Sequence, residues 1–271
     1  MSEATRLTPR QPWRPTKLLQ ASFVAHAAAL PILAAQPRLW PWVAGALVAD
    51  HAALTASGLL PRSSLLGPNW TRLPSASGHN MAITIDDGPD PQVTPQVLDI
   101  LDKYKAVATF FCVGTRVSAE PSLARDILRR GHAIENHSYR HLNYFSVLGP
   151  RAMATEIARA QDIIESTVGV TPFFFRAPAG LRNPFLDRVL TQQRLRLATW
   201  TRRGFDTVNN QPAKILSRLV CGMRSGDILL LHDGHAARAP DGSPVILKVL
   251  PMLLDNIYAL DLVPILLRAA L

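Results

Sequence analysis

This chain of 271 residues contains only two cysteines, Cys112 and Cys221. Cys112 lies in an apolar run and is expected to be a small buried side chain, whereas Cys221 falls at the expected end of a helix. Two such cysteines do not suggest the disulfide framework of a small secreted protein. Cysteine content therefore indicates no cellular compartment.

Charge is also scarce, because charged residues make up 18% of the chain and no run of five or more Lys or Arg occurs. The hydrophobic share of 48% is large enough to build a core, which excludes a disordered chain. The formal net charge is +9, and a basic excess bears on partners more than on fold. No nucleic-acid-binding module is recognisable. We predict anionic lipid head groups or a phosphate-bearing substrate as partners, no nucleic acid, and infer no protein partner.

The amino-terminal part has a different character from the rest. A basic tail with several prolines spans 1–17, and two apolar stretches follow within 18–60, at 18–35 and 39–60. A membrane-spanning helix needs about 20 apolar residues, so both stretches are near that length. Asp50 would cost roughly 2.5–3.5 kcal/mol at a helix centre, while each Leu gains only about 0.3–0.6 kcal/mol. The first stretch is therefore the better span, and the second is expected to pair with it, face the following domain or lie in the interface.

Two other interpretations of these stretches are a cleaved signal peptide and a buried helical hairpin in a soluble protein. The absence of a small-residue cleavage site after the first stretch disfavours the signal peptide. Since basic residues favour the cytoplasmic side, one span would place the rest of the chain outside the cytoplasm and two spans would place it inside. Two arginines, Arg62 and Arg72, follow the second stretch, whereas the loop between the two stretches contains Arg38. This distribution favours two spans. We predict a bacterial-type inner (cytoplasmic) membrane protein, the cytoplasmic face being favoured.

A predicted linker at 61–77 separates this part from a second region, 78–271. In that region short apolar runs alternate with amphipathic helical segments, six of which begin near a proline, a residue suited to the first helical position. The seven runs are 81–85, 106–113, 132–135, 172–175, 196–200, 227–231 and 262–267. This alternation predicts an α/β fold with a mostly parallel sheet, open or closed as a barrel.

Ionisable residues follow five of these runs, where the strands are expected to end. Parallel α/β folds place their active sites at the carboxyl ends of the strands. The residues are Asp86 and Asp87 after the first run, His137 and His141 after the third, Arg176 after the fourth, Asp206 beyond the fifth, and His232 and Asp233 after the sixth. Solvated loops would rarely supply such a set, so we predict an active site there.

His137 and His141 are four residues apart, and on a helical turn both would point to one side. With the carboxylate of Asp87 they would form a site of two histidines and one carboxylate that leaves positions open for water and substrate. This donor set suits Zn²⁺, and also Co²⁺, Ni²⁺ or Fe²⁺. The predicted cofactor is therefore a divalent metal, zinc first.

The motifs Thr84-Ile85-Asp86-Asp87-Gly88, His137-Ser138-x-x-His141, Arg176-x-Pro178-x-Gly180 and Leu230-x-His232 resemble those of the polysaccharide deacetylase family, with its NodB homology domain (carbohydrate esterase family 4). The resemblance covers about 78–271, and the motifs come in the family's order and approximate spacing. It implies a distorted (β/α) barrel, here preceded by a hydrophobic helical hairpin, that hydrolyses N- or O-acetyl groups on sugars.

The resemblance implies metal binding by Asp87, His137 and His141, and it divides the proton chemistry between two pairs. Asp86 would be the general base, steered by Arg176. His232 would be the general acid, and Asp206 its carboxylate partner.

Four further residues are expected at the substrate. Leu230 would line an acetyl pocket, the backbone N–H of Ala179 would help to hold an oxyanion, and Pro178 and Trp200 would lie beside the sugar. Asp233 is interpreted as a turn residue. The remaining histidines of this region are interpreted as surface or structural groups: His79, His132 and His235.

The chain departs from the family pattern at Ala179, where tyrosine is frequent, and at Thr207, where an aromatic residue is frequent. Both changes remove walls of a polymer-binding groove. Together with the apolar stretches they favour a membrane-proximal or lipid-linked glycan over a free polymer such as chitin. The alternatives are an amide, imide or formamide hydrolase acting on a non-polymeric substrate, and a non-catalytic membrane protein that binds glycan or metal.

Overall fold

The computed structural model describes residues 12–74 and 78–271. Positions 1–11 of the predicted basic tail and 75–77 of the predicted linker lie outside the described residues. Two helices come first, α1 (Lys17–Ala35) and α2 (Trp40–Leu59), joined by a short 3₁₀ turn at Pro37–Leu39. The predicted amino-terminal helical hairpin is therefore present.

Polar side chains join the two helices of the hairpin near their middle. Ser22 Oγ donates a hydrogen bond of 2.8 Å to Asp50 Oδ2, and the Nε2 atoms of His26 and His51 lie 3.3 Å apart. The second stretch thus pairs with the first, and Asp50 has a partner there. Among the described helices, α1 alone is long and apolar enough to cross a membrane, a criterion that a signal sequence also meets.

The remainder of the chain builds a parallel sheet. Its strands are β1 (Asn80–Asp86), β2 (Thr109–Cys112), β3 (Ala133–Asn136), β4 (Phe174–Phe175), β5 (Arg196–Leu197), β6 (Arg202–Arg203), β7 (Ile228–His232) and β8 (Val263–Pro264). Seven follow the order β5-β4-β3-β2-β1-β7-β6, and β8 pairs with the start of β1. The seven predicted runs each supply one strand, and the α/β prediction is confirmed as a half-barrel.

Strand β6 is the one that no apolar run predicted, because it consists of two arginines. Beside it the gap between β5 and β7 is crossed by a segment that follows the hairpin. Trp70 forms a parallel bridge with Ala198, and Arg72 forms an antiparallel bridge with Asp227. The segment around Trp70 and Arg72, which precedes the α/β region, therefore completes the sheet.

Helices cover the outer face of the sheet: α3 (Thr94–Tyr104), α4 (Gly114–Ala119), α5 (Pro121–Arg129), α6 (Pro150–Val168), α7 (Leu186–Gln192), α8 (Pro212–Val220) and α9 (Ile246–Ala259). In α3 the apolar positions Val97, Leu98 and Leu101 are fully buried, as their helical spacing requires. Strands β1 and β7 are buried on both faces, which is normal for a parallel sheet between layers. This core holds the carboxyl ends of the strands in fixed positions.

The hairpin is attached firmly to the α/β region. The backbone N–H of Arg182 donates to Gly58 O at 3.1 Å, and Asn69 Nδ2 donates to the carbonyls of Pro61 and Ser63. Leu66, further along this segment, is 1% exposed. The end of α2 and the segment after it therefore pack as part of the α/β surface.

Replacing Gly58 with Ala tests this attachment. A Cβ at position 58 would lie 2.2 Å from the carbonyl oxygen of Arg182, a backbone atom that cannot move aside alone. We expect the variant to lose about 1–3 kcal/mol in the free energy of unfolding. Gly45→Ala is the matched control in the same helix, since a Cβ there meets nothing within 4 Å, and it should be neutral or gain up to about 1 kcal/mol. Equal denaturant midpoints for both variants would contradict the attachment.

Candidate active site

A pocket of about 390 Å³ opens at the carboxyl ends of the strands. Asp86 ends β1 and His232 ends β7, and the two residues are partners in the register of those neighbouring strands. The pocket is lined by Asp86, Asp87, His137, His141, Asn143, Ala179, Gly180, Trp200, Arg203, Thr207, Leu230, His232 and His235. The sheet thus brings together side chains that are far apart in the sequence.

Three of the lining residues form a cluster that could hold a metal ion. Asp87 Oδ1 lies 3.2 Å from His137 Nε2 and 3.2 Å from His141 Nε2. The histidines do not share a helical turn as predicted, because they occupy a loop after β3 in which Ser138 and His141 have positive φ angles. The loop nevertheless points both rings at Asp87.

The donor atoms of this cluster are oriented for a cation. His137 Nδ1 donates a 2.8 Å hydrogen bond to the carbonyl of Arg176, which leaves Nε2 as the ring atom that faces Asp87. Asp87 Oδ1 is buried and has no hydrogen-bond partner among the described residues. Ligands of a tetrahedral Zn²⁺ with bonds of about 2.0–2.1 Å are spaced about 3.3–3.4 Å apart. The residues present therefore fit a divalent metal.

The pKa shifts of His141 and Asp87 agree with this fit, whereas the carboxylates of Asp86 and Asp87 outweigh burial and raise the pKa of His137, whose proton a cation would replace. Burial and, to a smaller extent, the neighbouring His137 lower the pKa of His141 to about 4, so that its ring is neutral at pH 7. Burial alone would raise the pKa of Asp87, but the rings of His137 and His235 hold it well below its usual range. An ionised carboxylate beside a neutral imidazole is the form in which both groups bind metal.

His235 was missed by the sequence interpretation, which left it as a surface or structural histidine. Its Nδ1 lies 3.0 Å from Asp87 Oδ2, and its ring is 5.9 Å from that of His141. It therefore lies in the pocket and contacts the carboxylate at the centre of the cluster. The sequence could have indicated this location, because His235 follows His232 by three residues and so falls in the loop after a strand end.

Asp86 and Arg176 form a buried ion pair, with Arg176 Nη1 2.6 Å from Asp86 Oδ1. The remaining donors of the guanidinium bond to the hydroxyl of Thr84 and to the carbonyls of Ala198 and Thr199. These contacts fix the orientation of Asp86, whose Oδ2 is 3.9 Å from His137 Nε2. The predicted pairing of these two residues is present in the structure.

His232 and Asp206 form the second predicted pair. His232 Nδ1 is 2.9 Å from Asp206 Oδ1, and the backbone N–H of His232 donates to Asp206 Oδ2 at 2.7 Å. Burial lowers the pKa of His232, but the adjacent carboxylate of Asp206 outweighs it and raises the pKa to about 8. The ring is therefore protonated at neutral pH and can donate a proton from Nε2.

This pKa gives a testable pH dependence. If His232 acts as the protonated group, kcat should fall as the pH rises through about 8. Asp206→Asn removes the charge that raises the pKa, so the alkaline limb should move to a pH lower by about 1–3 units. A pH–rate profile of both proteins measures the shift, and an alkaline limb that stays in place would contradict the role of Asp206.

Asp233 is more than the turn residue that the sequence suggested. It is fully buried, Thr94 Oγ1 donates to its Oδ2 at 2.5 Å, and Oδ1 has no partner among the described residues. Burial raises the pKa of Asp233 to about 7. The carboxyl packs against Gly88, where a Cβ would lie 2.5 Å from it. Asp233 therefore supports the backbone beside Asp87.

Three of the four residues predicted at the substrate line the pocket: Leu230, Ala179 and Trp200. Pro178 is buried and is not among the lining residues. Ala179 has a positive φ of 54°. Ala179 and Thr207, which depart from the family pattern, both lie on the pocket wall, so the pocket lacks aromatic side chains at these two places.

Comparison with known proteins gives consistent matches. The family model described as polysaccharide deacetylase matches residues 74–198. A peptidoglycan-N-acetylglucosamine deacetylase of Bacillus cereus is 38% identical over 190 residues, which cover 69% of this chain and 88% of that protein. A chitooligosaccharide deacetylase of Bradyrhizobium is 34% identical over 163 residues, 56% of this chain and 70% of the relative. A family 4 carbohydrate esterase from Streptomyces lividans, solved with acetate, superposes with a TM-score of 0.62 at 29% identity, covering 69% of this chain and 92% of that one.

Proposed function

Because this chain belongs to the polysaccharide deacetylase family, we propose that it is a metal-dependent hydrolase that removes N- or O-acetyl groups from a sugar. The observation that carries the proposal is the convergence of three groups in one pocket. These are the metal-binding cluster around Asp87, the Asp86–Arg176 pair and the His232–Asp206 pair. The donor set favours zinc, with cobalt, nickel or iron as further candidates.

Asp87, His137 and His141 would hold the cation, which when bound supplies Lewis-acid polarisation and a lowered pKa for water. Asp86 would accept the proton of the attacking water through Oδ2, because its Oδ1 is engaged by Arg176. The hydrogen bond from Arg176 Nη1 fixes the orientation of the Asp86 carboxylate.

The second half of the reaction needs a proton for the leaving amine or alcohol. His232 is protonated at neutral pH and presents Nε2 to the pocket, since Nδ1 is held by Asp206. Leu230 offers an apolar surface to the acetyl methyl group, and Ala179 lies on the pocket wall, where a backbone N–H would stabilise an oxyanion. One such donor is typically worth about 2.7–4 kcal/mol in transition-state stabilisation.

The proposed substrate is a membrane-proximal or lipid-linked glycan. Large apolar side chains of the hairpin are exposed, including Leu30 at 78% and Trp42 at 77%. Helix α1 has 19 residues and so measures about 28 Å, close to the roughly 30 Å of a bilayer's hydrocarbon core. Exposed apolar surface of this kind favours insertion into lipid.

The hairpin also lies next to the pocket. Gly180 lines the pocket and packs against Pro61, just after α2, so closely that a Cβ on Gly180 would be 2.9 Å from the Cβ of Pro61. Thr16, before α1, donates to Leu65 O at 2.7 Å. The two ends of the hairpin therefore lie together beside the catalytic domain, which supports our proposal of an inner (cytoplasmic) membrane protein. The distribution of basic residues favours the cytoplasmic face for that domain.

Acetate release by the full-length protein in lipid vesicles tests the substrate class. We expect N-acetylglucosamine linked through phosphate to a polyprenol to be deacetylated with a kcat/KM at least tenfold above that of soluble chito-oligosaccharides. Formyl analogues of the same sugars should be included, because they report the acyl preference. Equal or faster turnover of the soluble oligosaccharide would contradict the membrane-proximal substrate without contradicting deacetylation.

A further inference from the structure

Arg203 is a cation of the pocket that the reaction outlined above does not use. It lies on β6, where its register partner on β7 is Leu230, and both residues line the pocket. Neighbouring strands are about 4.8 Å apart, so side chains paired in register lie side by side. A charge at Arg203 is therefore next to the surface proposed for the acetyl methyl group.

The guanidinium of Arg203 has no acceptor within the described part of the chain. Its Nε is buried and makes no hydrogen bond, and none of the ion pairs among the described residues includes it. Arg176, whose Cζ lies 5.8 Å from the centre of the same Trp200 ring, is the opposite case, because Asp86, Thr84 and two backbone carbonyls accept its hydrogen bonds. A donor without an acceptor is unfavourable, and an acceptor group of a ligand in the pocket would complete the hydrogen bonding of this partly buried side chain.

Two aromatic rings hold this guanidinium in place. Its Cζ lies 5.4 Å from the centre of the Trp200 ring and 5.0 Å from that of Phe205. Stacking of this kind favours a positive charge and leaves the edge of the guanidinium free for an acceptor. A planar guanidinium binds phosphate through two parallel hydrogen bonds. The side chain is thus oriented before any ligand arrives.

We infer that Arg203 forms an anion subsite that binds the phosphate of a phosphate-linked acetylated sugar. The inference rests on the proposed function and specifies its substrate. The subsite requires a phosphate close to the sugar that carries the acetyl group. A lipid-linked sugar has this arrangement, whereas the interior of a neutral polymer does not.

A pair of matched substrates tests the inference. The first is N-acetylglucosamine joined through phosphate to a short polyprenol, and the second is its neutral alkyl glycoside of equal chain length. The full-length wild-type protein should show a kcat/KM at least tenfold higher for the phosphate compound. Arg203→Gln should reduce kcat/KM for that compound about 10–100-fold, mainly through KM, so that the preference disappears. Arg203→Lys, which keeps the charge but loses the bidentate geometry, should give an intermediate preference.

Arg218→Gln is the matched control. Arg218 contacts the same Phe205 ring at 5.3 Å but does not line the pocket, so its loss should leave the preference unchanged. A preference for the phosphate compound that persists in Arg203→Gln would overturn the inference. Equal kcat/KM values of the wild-type protein for the two substrates would also overturn it, and this result does not depend on the folding of the variant. Stronger activity on a sugar carrying a carboxylate, such as an N-acetylmuramic acid glycoside, would also overturn it. Acetate release from the neutral glycoside separates these outcomes from failure of the deacetylase function itself.

Discussion

Replacement of Asp86 by Asn is expected to lower kcat for acetate release by about 10²–10⁴-fold while the protein keeps its metal. The amide has nearly the shape of the carboxylate, and its oxygen can still accept the hydrogen bond from Arg176. It cannot, however, take a proton from water. Since the metal cluster consists of Asp87, His137 and His141, metal content should stay at the wild-type level.

Asp90→Asn is the control for this substitution. Asp90 lies in the loop that follows Asp86 and Asp87, and its Oδ1 accepts backbone N–H groups that an asparagine oxygen can also serve. Its activity should remain close to that of the wild type. Undiminished turnover by Asp86→Asn would exclude Asp86 as the base, and loss of the metal in that variant would show that it is a ligand instead.

Replacement of His137 by Ala is expected to remove metal and activity together. Loss of a partner that merely orients a ligand typically weakens metal binding by 10–100-fold, so loss of the ligand itself should weaken it by at least about 100-fold. Activity should fall by more than about 10³-fold at limiting zinc, because the water would no longer be activated. Metal analysis and acetate release are measured on the same sample.

His79→Ala serves as the control histidine, because His79 is exposed and bonds to the carbonyl of Asp261, outside the pocket. It should keep both metal and activity. Raising the zinc concentration should restore part of the activity of His137→Ala if the lost affinity is the cause. Full activity of a metal-free His137→Ala protein would contradict the assignment of the cluster.

The fold could be predicted because the core strands are continuous apolar runs. Strands β1 and β7 are buried on both faces, so their sequences contain little besides apolar residues until the charged residue that ends each strand. The opposite holds for β6, whose two arginines are placed by pairing with β7 and not by their own apolarity. A strand formed through its neighbour leaves no periodic signal in its own sequence.

The site was predictable to the extent that strand ends define it. Asp86, Asp87, His137 and His232 follow directly from the rule that parallel strands end at one edge of the sheet. His235 and Arg203 were missed because their positions depend on the path of loops and on a strand without an apolar pattern. The loop after β3 illustrates the same limit, since positive φ angles at Ser138 and His141, not a helical turn, direct the two rings to Asp87. The roles of these residues and the boundaries between the predicted segments stay predictions.

The central claim is that metal held by Asp87, His137 and His141 makes this chain a sugar deacetylase. The most direct measurement is acetate release from an N-acetylglucosamine-containing glycan by the purified full-length protein, before chelation, after chelation, and after zinc is restored. The account predicts release by the zinc-loaded protein, loss of release in the stripped protein and recovery with added zinc. The absence of acetate release from every acetylated sugar by zinc-loaded protein, or equal release without metal, would contradict it.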